Sequence, residues 1–222
     1  MKIPALTKTY EGRTVLDTPE ITLERGKIYA LIGANGSGKS TFARILSAVE
    51  KADNKKPCEI TDDKETHVSV GYMPQKNFAF KTTVLKNIML ADNNQARAES
   101  FIERFRLTEL KDKSAKKLSG GETAKVAAAR IMMGHFDLLI LDEPSQAMDM
   151  ESAKVLEELI GEYVKEHNCA LILITHSLRE ARRTADEIIF LSEGRLIEKG
   201  PVAEILAGPE NSLTQEFLDF YG

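Results

Sequence analysis

Residues Gly33-Ala34-Asn35-Gly36-Ser37-Gly38-Lys39-Ser40 fit the pattern G-x-x-x-x-G-K-[ST] at every defined position. They follow the apolar run Ile28-Tyr29-Ala30-Leu31-Ile32 and lead into Thr41-Phe42-Ala43-Arg44-Ile45-Leu46, which has a helical pattern. A glycine-rich turn before an ordinary helix is the bland alternative. Strand, glycine loop and helix in succession favour a phosphate site instead. Glycines let successive backbone N–H groups turn inward around one anion, and the helix N-terminus adds its positive dipole end. Lys39 supplies a mobile cation for β- and γ-phosphates, and Ser40 a hydroxyl for Mg²⁺. The ligand implied is a nucleoside triphosphate.

The rest of the chain has the pattern of an α/β protein. Apolar, β-branched runs predict strands over 28–32, 69–73, 137–142, 169–175, 186–191 and 195–199. Amphipathic stretches predict helices over 39–49, 121–133, 151–166, 178–184 and 201–207. Because the strand runs are continuous rather than alternating, they imply burial on both faces, hence a largely parallel sheet between helices. Residues 76–130 are mostly helical in pattern, with Ala91-Asp92-Asn93-Asn94-Gln95 as a linking loop, and read as an α-helical insertion. Residues 50–66, rich in lysine and aspartate, predict a surface excursion with one short strand around Cys58-Glu59-Ile60. At 222 residues without an internal repeat, the chain suits one nucleotide cassette, not two.

Composition narrows the function classes. The 30 basic and 34 acidic side chains give a net charge of −4, against a nucleic-acid binder working through a broad basic surface. Cys58 and Cys169 have no metal-ligand neighbours and suit a reducing cytoplasm, with Cys169 a buried thiol in its apolar run. The start, Met1-Lys2-Ile3-Pro4-Ala5-Leu6, lacks a signal-peptide core. Runs such as Leu138-Leu139-Ile140-Leu141 fall far short of the ~20 residues that span a bilayer, so any membrane role needs another chain as anchor.

Two further motifs accompany the loop. Leu138-Leu139-Ile140-Leu141-Asp142-Glu143 is a buried-strand pattern ending in two carboxylates. Asp142 at the strand tip can orient Mg²⁺ through water, and Glu143 can polarise a water attacking the γ-phosphate. Leu118-Ser119-Gly120-Gly121-Glu122-Thr123-Ala124-Lys125 opens another helix, where serine and glycines make either a simple N-cap or a second anion-binding start. One triphosphate cannot easily use two cradles on one monomer, so a facing second copy is the natural explanation.

With these residues the chain resembles the nucleotide-binding subunits of ATP-binding cassette (ABC) transporters over essentially its whole length. Gly33 to Thr41 match Walker A, Leu138 to Glu143 Walker B, and Leu118 to Lys125 the signature, with Glu122 where glutamine is commoner. Gln75 matches the Q-loop glutamine, His176 the switch histidine, and Ser145-Gln146-Ala147-Met148-Asp149 the D-loop, with Gln146 and Met148 departing from the usual residues. Tyr10 is similar to the aromatic that stacks on adenine. The resemblance implies a P-loop NTPase core with a mainly parallel sheet, a small antiparallel β part and an α-helical insertion. In residue terms that is a RecA-like core over 1–75 and 131–222 and a helical subdomain over 76–130. It assigns Glu143, His176 and Lys39 to catalysis and Ser40, Gln75 and Asp142 to Mg²⁺. Gly33, Ala34, Asn35, Gly36, Ser37, Gly38 and Thr41 go to ATP, and Ser119, Gly120, Gly121, Glu122 and Asp149 to the partner copy's ATP. It also implies transmembrane permease subunits, an extracytoplasmic solute-binding protein, and a place on the inner face of the cell membrane.

Within that family the signature, Met148-Asp149-Met150-Glu151-Ser152 and the ending Phe217-Leu218-Asp219-Phe220-Tyr221-Gly222 are similar to tungstate-type oxyanion importers. A soluble ABC ATPase of the iron–sulfur-assembly type and an exporter or lipoprotein-release ATPase share the catalytic residues and stay open. His67, His135 and His167 lie outside the motifs and read as surface or packing residues, and Met132-Met133 as core filler.

Overall fold

The computed structural model describes residues 1–62 and 66–221; Asp63, Lys64, Glu65 and Gly222, which belong to the expected excursion and to the chain ending, lie outside the described residues. In chain order the strands are β1 (Lys2–Ile3), β2 (Leu6–Tyr10), β3 (Arg13–Thr18), β4 (Ile21–Thr22), β5 (Ile28–Ile32), β6 (Val70–Met73), β7 (Leu138–Asp142), β8 (Ala170–Ile174), β9 (Glu187–Ser192) and β10 (Arg195–Pro201). The helices are α1 (Lys39–Leu46), α2 (Val84–Ile88), α3 (Gln95–Arg104), α4 (Gly120–Met132), α5 (Met150–His167), α6 (Leu178–Thr184), α7 (Val202–Ala207) and α8 (Ser212–Tyr221).

A six-stranded sheet has the order β10-β9-β5-β8-β7-β6. β5 runs parallel to β8 and β9, β7 runs parallel to β8, and β10 closes one edge antiparallel to β9. Every residue of β5, β7 and β8 is buried, which is why their sequences are unbroken apolar runs. The two-residue strand period still sorts them. Tyr29 and Leu31 join Phe42, Ile45 and Leu46 of α1 and Ile3, Leu6, Leu16 and Ile21 of the N-terminal strands in one core. Ala30 and Ile32 face a second core with Ile188, Phe190, Ala181, Val202, Ile205 and Phe217. Each such leucine or isoleucine contributes about 1.5–3 kcal/mol by leaving water. The consequence for function is that the loops after β5, β8 and β7, three neighbouring strands, start from the same, C-terminal end of the parallel strands.

The antiparallel part is local. β2 and β3 form a hairpin whose turn residues Glu11 and Gly12 have φ of 49° and 81°, the paired positive φ of a type I′ turn. β1 pairs with β4. The expected strand at Cys58-Glu59-Ile60 does not form. Thr61 instead makes isolated bridges to Lys2 and His67, because β1, its neighbour, is only two residues long. Helix α1 stops at Leu46 rather than 49: Ser47 Oγ donates back to the Ala43 carbonyl at 2.8 Å, and Ala48 turns left-handed with φ 56°.

Two compact units divide the chain, one of residues 1–72, 136–142 and 164–222, the other of 73–135 and 143–163. The first holds the sheet and both cores. The second is helical. In it the buried Asn87 amide knits the start of α2, accepting from Phe80 N–H (2.8 Å) and donating to the Phe80 (3.1 Å) and Thr83 (3.0 Å) carbonyls. Also within it, Arg104 of α3 pairs with Glu158 and Glu162 of α5, and the buried Tyr163 hydroxyl donates to the Gly134 carbonyl at 2.9 Å.

Candidate functional site

In the sheet-bearing unit, the glycine loop joins β5 to α1, and its geometry depends on missing side chains. Gly33, Gly36 and Gly38 have φ of 151°, 80° and 102°. A Cβ on Gly33 would lie 2.2 Å from the Leu191 carbonyl oxygen, and one on Gly38 2.8 Å from that of Val15. A Cβ on Gly36 would meet nothing within 4 Å, so that glycine leaves open space beside the loop. Ser37 N–H donates to the Ala34 carbonyl at 3.1 Å, and Gly194 N–H to the Ser37 carbonyl at 3.0 Å. Lys39 folds back over this frame, donating to the Gly33 (2.7 Å) and Ala34 (2.9 Å) carbonyls. The Gly38 cap makes no side-chain hydrogen bond, and no acid stands in the first turn of α1. That leaves the dipole end of α1 suited to an anion. Ala34, Asn35 and Gly36 are exposed at the loop crest, while Ser37, Lys39 and Thr41 are buried and Ser40 half-buried.

The neighbouring strands deliver the acid and the histidine of this unit. Asp142 ends β7, is 2% exposed, and accepts a hydrogen bond from Tyr72 at 3.3 Å. Burial, then the Asp142 carboxylate beside it, pushes the Tyr72 phenol upward, so it stays a donor. His176 follows β8 and is exposed, not a core histidine; Thr175 N–H before it bonds to the Leu31 carbonyl of β5 at 3.3 Å. Among the described residues no group of three or more His, Cys, Asp or Glu could hold a metal ion. Ser40 and Asp142 offer one hydroxyl and one carboxylate, a donor set that suits Mg²⁺ keeping water and phosphate ligands. Tyr10 ends β2, apart from the loop in sequence, and its hydroxyl donates to Glu50.

In the helical unit, Gln75 Nε2 donates to Glu143 Oε2 at 3.0 Å and to Gln146 Oε1 at 3.4 Å. Glu143 has φ 48°, a left-handed conformation that costs a non-glycine residue about 1 kcal/mol or more and turns the chain sharply at the end of β7. Ser119 and Glu122 form a reciprocal capping box on α4: Ser119 Oγ accepts from Glu122 N–H at 3.3 Å, and the Glu122 carboxylate accepts from Ser119 N–H at 2.7 Å. These bonds, from the Ser119 backbone first, hold the Glu122 carboxyl below the usual carboxylate range. A Cβ on Gly121 would lie 2.8 Å from the Ala147 carbonyl, whereas Gly120 is open. Asp149 caps α5, accepting from Ser152 N–H (2.8 Å) and Oγ (2.9 Å), and pairs with Lys125 of α4 at 3.3 Å. Those partners, Ser152 foremost, hold its carboxyl well below the usual range.

No motif in the sequence gives Tyr72 or Lys125 a role. Tyr72 stood three residues before Gln75 on a predicted strand, and Lys125 one turn after Glu122; both positions were legible, but neither long-range partner was.

A family model described as ABC transporter matches residues 16–146. The arginine transport ATP-binding protein ArtM of Bacillus subtilis (strain 168) is 32% identical over 237 residues, covering 99% of this chain and 98% of its own length. The tungstate uptake system ATP-binding protein TupC of Peptoclostridium acidaminophilum is 37% identical over 204 residues, covering 87% of this chain and 94% of its own. Among solved structures, the ATP-binding subunit of an ABC transporter superposes with a TM-score of 0.82 at 23% identity, covering 99% of this chain and 98% of its own. The family model and these two relatives show that the chain belongs to the ABC transporter family, as an ATP-binding ATPase of it.

Proposed function

We propose that this chain is the ATP-hydrolysing subunit of an ABC importer, peripheral on the inner face of the cytoplasmic membrane and energising the uptake of a solute. The observation that carries the reading is similarity to import-system ATP-binding proteins along nearly the entire chain. Among the described residues no helix is long and apolar enough to cross a membrane, so permease subunits provide the channel and the anchor. A solute-binding protein outside the membrane delivers the cargo. The core over 1–75 and 131–222 binds nucleotide, and the helical subdomain over 76–130 relays its state. The similarity to a tungstate uptake protein supports an oxyanion cargo of that type.

The roles follow from the chemistry of each group. The loop N–H groups, Lys39 and Thr41 bind the phosphates, and Tyr10 stacks on the base. Ser40, Asp142 and Gln75 would hold Mg²⁺, which supplies charge neutralisation at the β- and γ-phosphates. Glu143 takes a proton from the attacking water, whose oxygen bonds to the γ-phosphorus as the bond to the β-phosphate oxygen breaks. Gln75, bonded to Glu143 at 3.0 Å, orients that carboxylate. His176 contacts the γ-phosphate. Ser119, Gly120, Gly121, Glu122 and Asp149 serve ATP held by a second copy.

Extraction of the tagged chain from native membranes in mild detergent tests the importer reading. A co-purifying multi-span membrane protein is expected. Only soluble partners, with the chain absent from membranes, would overturn it.

A further inference from the structure

The segment after α1 grips β2 at four consecutive residues. Asp53 N–H donates to the Thr7 carbonyl at 2.9 Å, Lys8 Nζ donates to the Lys51 carbonyl at 2.7 Å, and Thr9 N–H donates to Asp53 Oδ1 at 3.0 Å. The fourth contact is the Tyr10 hydroxyl on Glu50 Oε1. The same Glu50 carboxylate pairs with Lys8 Nζ at 3.1 Å and Arg44 Nε at 3.1 Å, with its side chain 19% exposed. Arg44 continues the chain of contacts to the Thr41 hydroxyl at 3.1 Å, in the first turn of the phosphate-binding helix. Glu50 N–H donates to the Arg44 carbonyl at 3.0 Å, so the glutamate backbone is pinned to α1 as well.

This arrangement has two consequences for Tyr10. Its ring is tied at the hydroxyl end to α1, so its distance from the phosphate loop is set by a short relay of charged groups rather than by a mobile hairpin tip. Lys8 Nζ, held by Glu50 and the Lys51 carbonyl, lies 5.1 Å from the ring centroid and occupies one face. Tyr10 is nonetheless 40% exposed. Burial opposes ionisation of Glu50, but the bonds from Tyr10, Lys8 and Arg44 outweigh it and keep the carboxyl below its ordinary range.

We propose that Glu50 is the positioning residue for base recognition, fixing Tyr10 relative to the phosphate loop through Lys8, Arg44 and Thr41 so that a nucleoside triphosphate is gripped at both ends. The proposal rests on the reading of Tyr10 as the base platform and adds what holds that platform in place.

Calorimetry with two probes, ATP and inorganic tripolyphosphate, separates the two ideas on the full chain. Tyr10→Ala is expected to weaken ATP about tenfold or more and leave tripolyphosphate within about twofold; ATP affinity unchanged in this variant would overturn the platform reading and the proposal with it. Glu50→Ala is expected to weaken ATP about 5-fold while sparing tripolyphosphate, the size of losing one ordinary hydrogen bond. Glu50→Gln, which keeps an acceptor for the Tyr10 hydroxyl and guards against a variant that fails to fold, should recover most of that loss. In a Tyr10→Phe background, Glu50→Ala should add little. With Tyr10→Ala behaving as expected, wild-type ATP affinity in Glu50→Ala, or equal loss of both probes, would overturn the role of Glu50 alone.

Discussion

At the residue scale, each position of the phosphate loop makes its own demand. Gly33 sits where a Cβ would meet a carbonyl oxygen at 2.2 Å, and backbone cannot yield as a flexible side chain can. Gly33→Ala should therefore abolish measurable ATP binding in calorimetry. Gly36→Ala, with φ 80° but nothing within 4 Å, should cost about 1 kcal/mol of stability and keep most of the affinity. Equal loss in both variants would contradict the geometry. Lys39→Ala should also weaken binding itself, since the proposed role of the ammonium now on the Gly33 and Ala34 carbonyls is that of phosphate cation. Glu143 makes the opposite demand. Glu143→Gln keeps the shape and the Gln75 contact but removes the base, so ATP should still bind while turnover falls ~10²-fold or more. A steady-state rate near that of the parent chain would end its assignment as general base.

At the scale of elements, a helix start explains one departure from the family pattern. Glu122 stands where glutamine is commoner, and the capping box accounts for it, because either side chain can accept from the Ser119 N–H. Glu122→Gln should leave turnover within about twofold and the start of α4 intact, whereas Ser119→Ala should cost ~1 kcal/mol in thermal unfolding. The two side chains differ in acid. The folded carboxyl of Glu122 titrates below its unfolded value of about 4.3, so its contribution is complete above that pH and is lost as pH falls through the lower folded value. The parent chain should thus lose more stability than Glu122→Gln between pH 6 and pH 3, and parallel melting profiles would refute this. Helix and strand identity was legible wherever a long apolar period ran, as in β5, β7, β8 and α5. The two-residue strands β1 and β4 were not legible, because a pair of residues has no period. Nor was the failure of Cys58-Glu59-Ile60 to form a strand, since it depends on how little β1 offers for pairing. The loop, the acidic strand end and the glycine helix start were legible as motifs. The tether of Tyr10 by Glu50, 40 residues away, was not, because no local pattern marks it.

At the scale of the whole molecule, one chain carries two helix starts that contain glycine: the loop before α1 and the capped start of α4. A single triphosphate has one γ-phosphate, so in the proposed function the second start serves the ATP of another copy. Two-fold symmetry then makes two equal sites from one set of residues. In that proposal ATP is the ligand that favours the closed pair, and hydrolysis removes the charge that holds it. This sets up a test in which binding and pairing separate. Glu143→Gln with ATP and Mg²⁺ should elute as a dimer in gel filtration and as a monomer with ADP, because the uncleaved γ-phosphate is retained. Adding Ser119→Glu places a negative group where the partner's phosphate would sit. Like-charge repulsion should then abolish the dimer while calorimetry still finds ATP on the Lys39 loop. A dimer that persists in this double variant would mean that α4 does not face the partner's nucleotide, and a Glu143→Gln chain that stays monomeric with ATP would remove the need for a second copy.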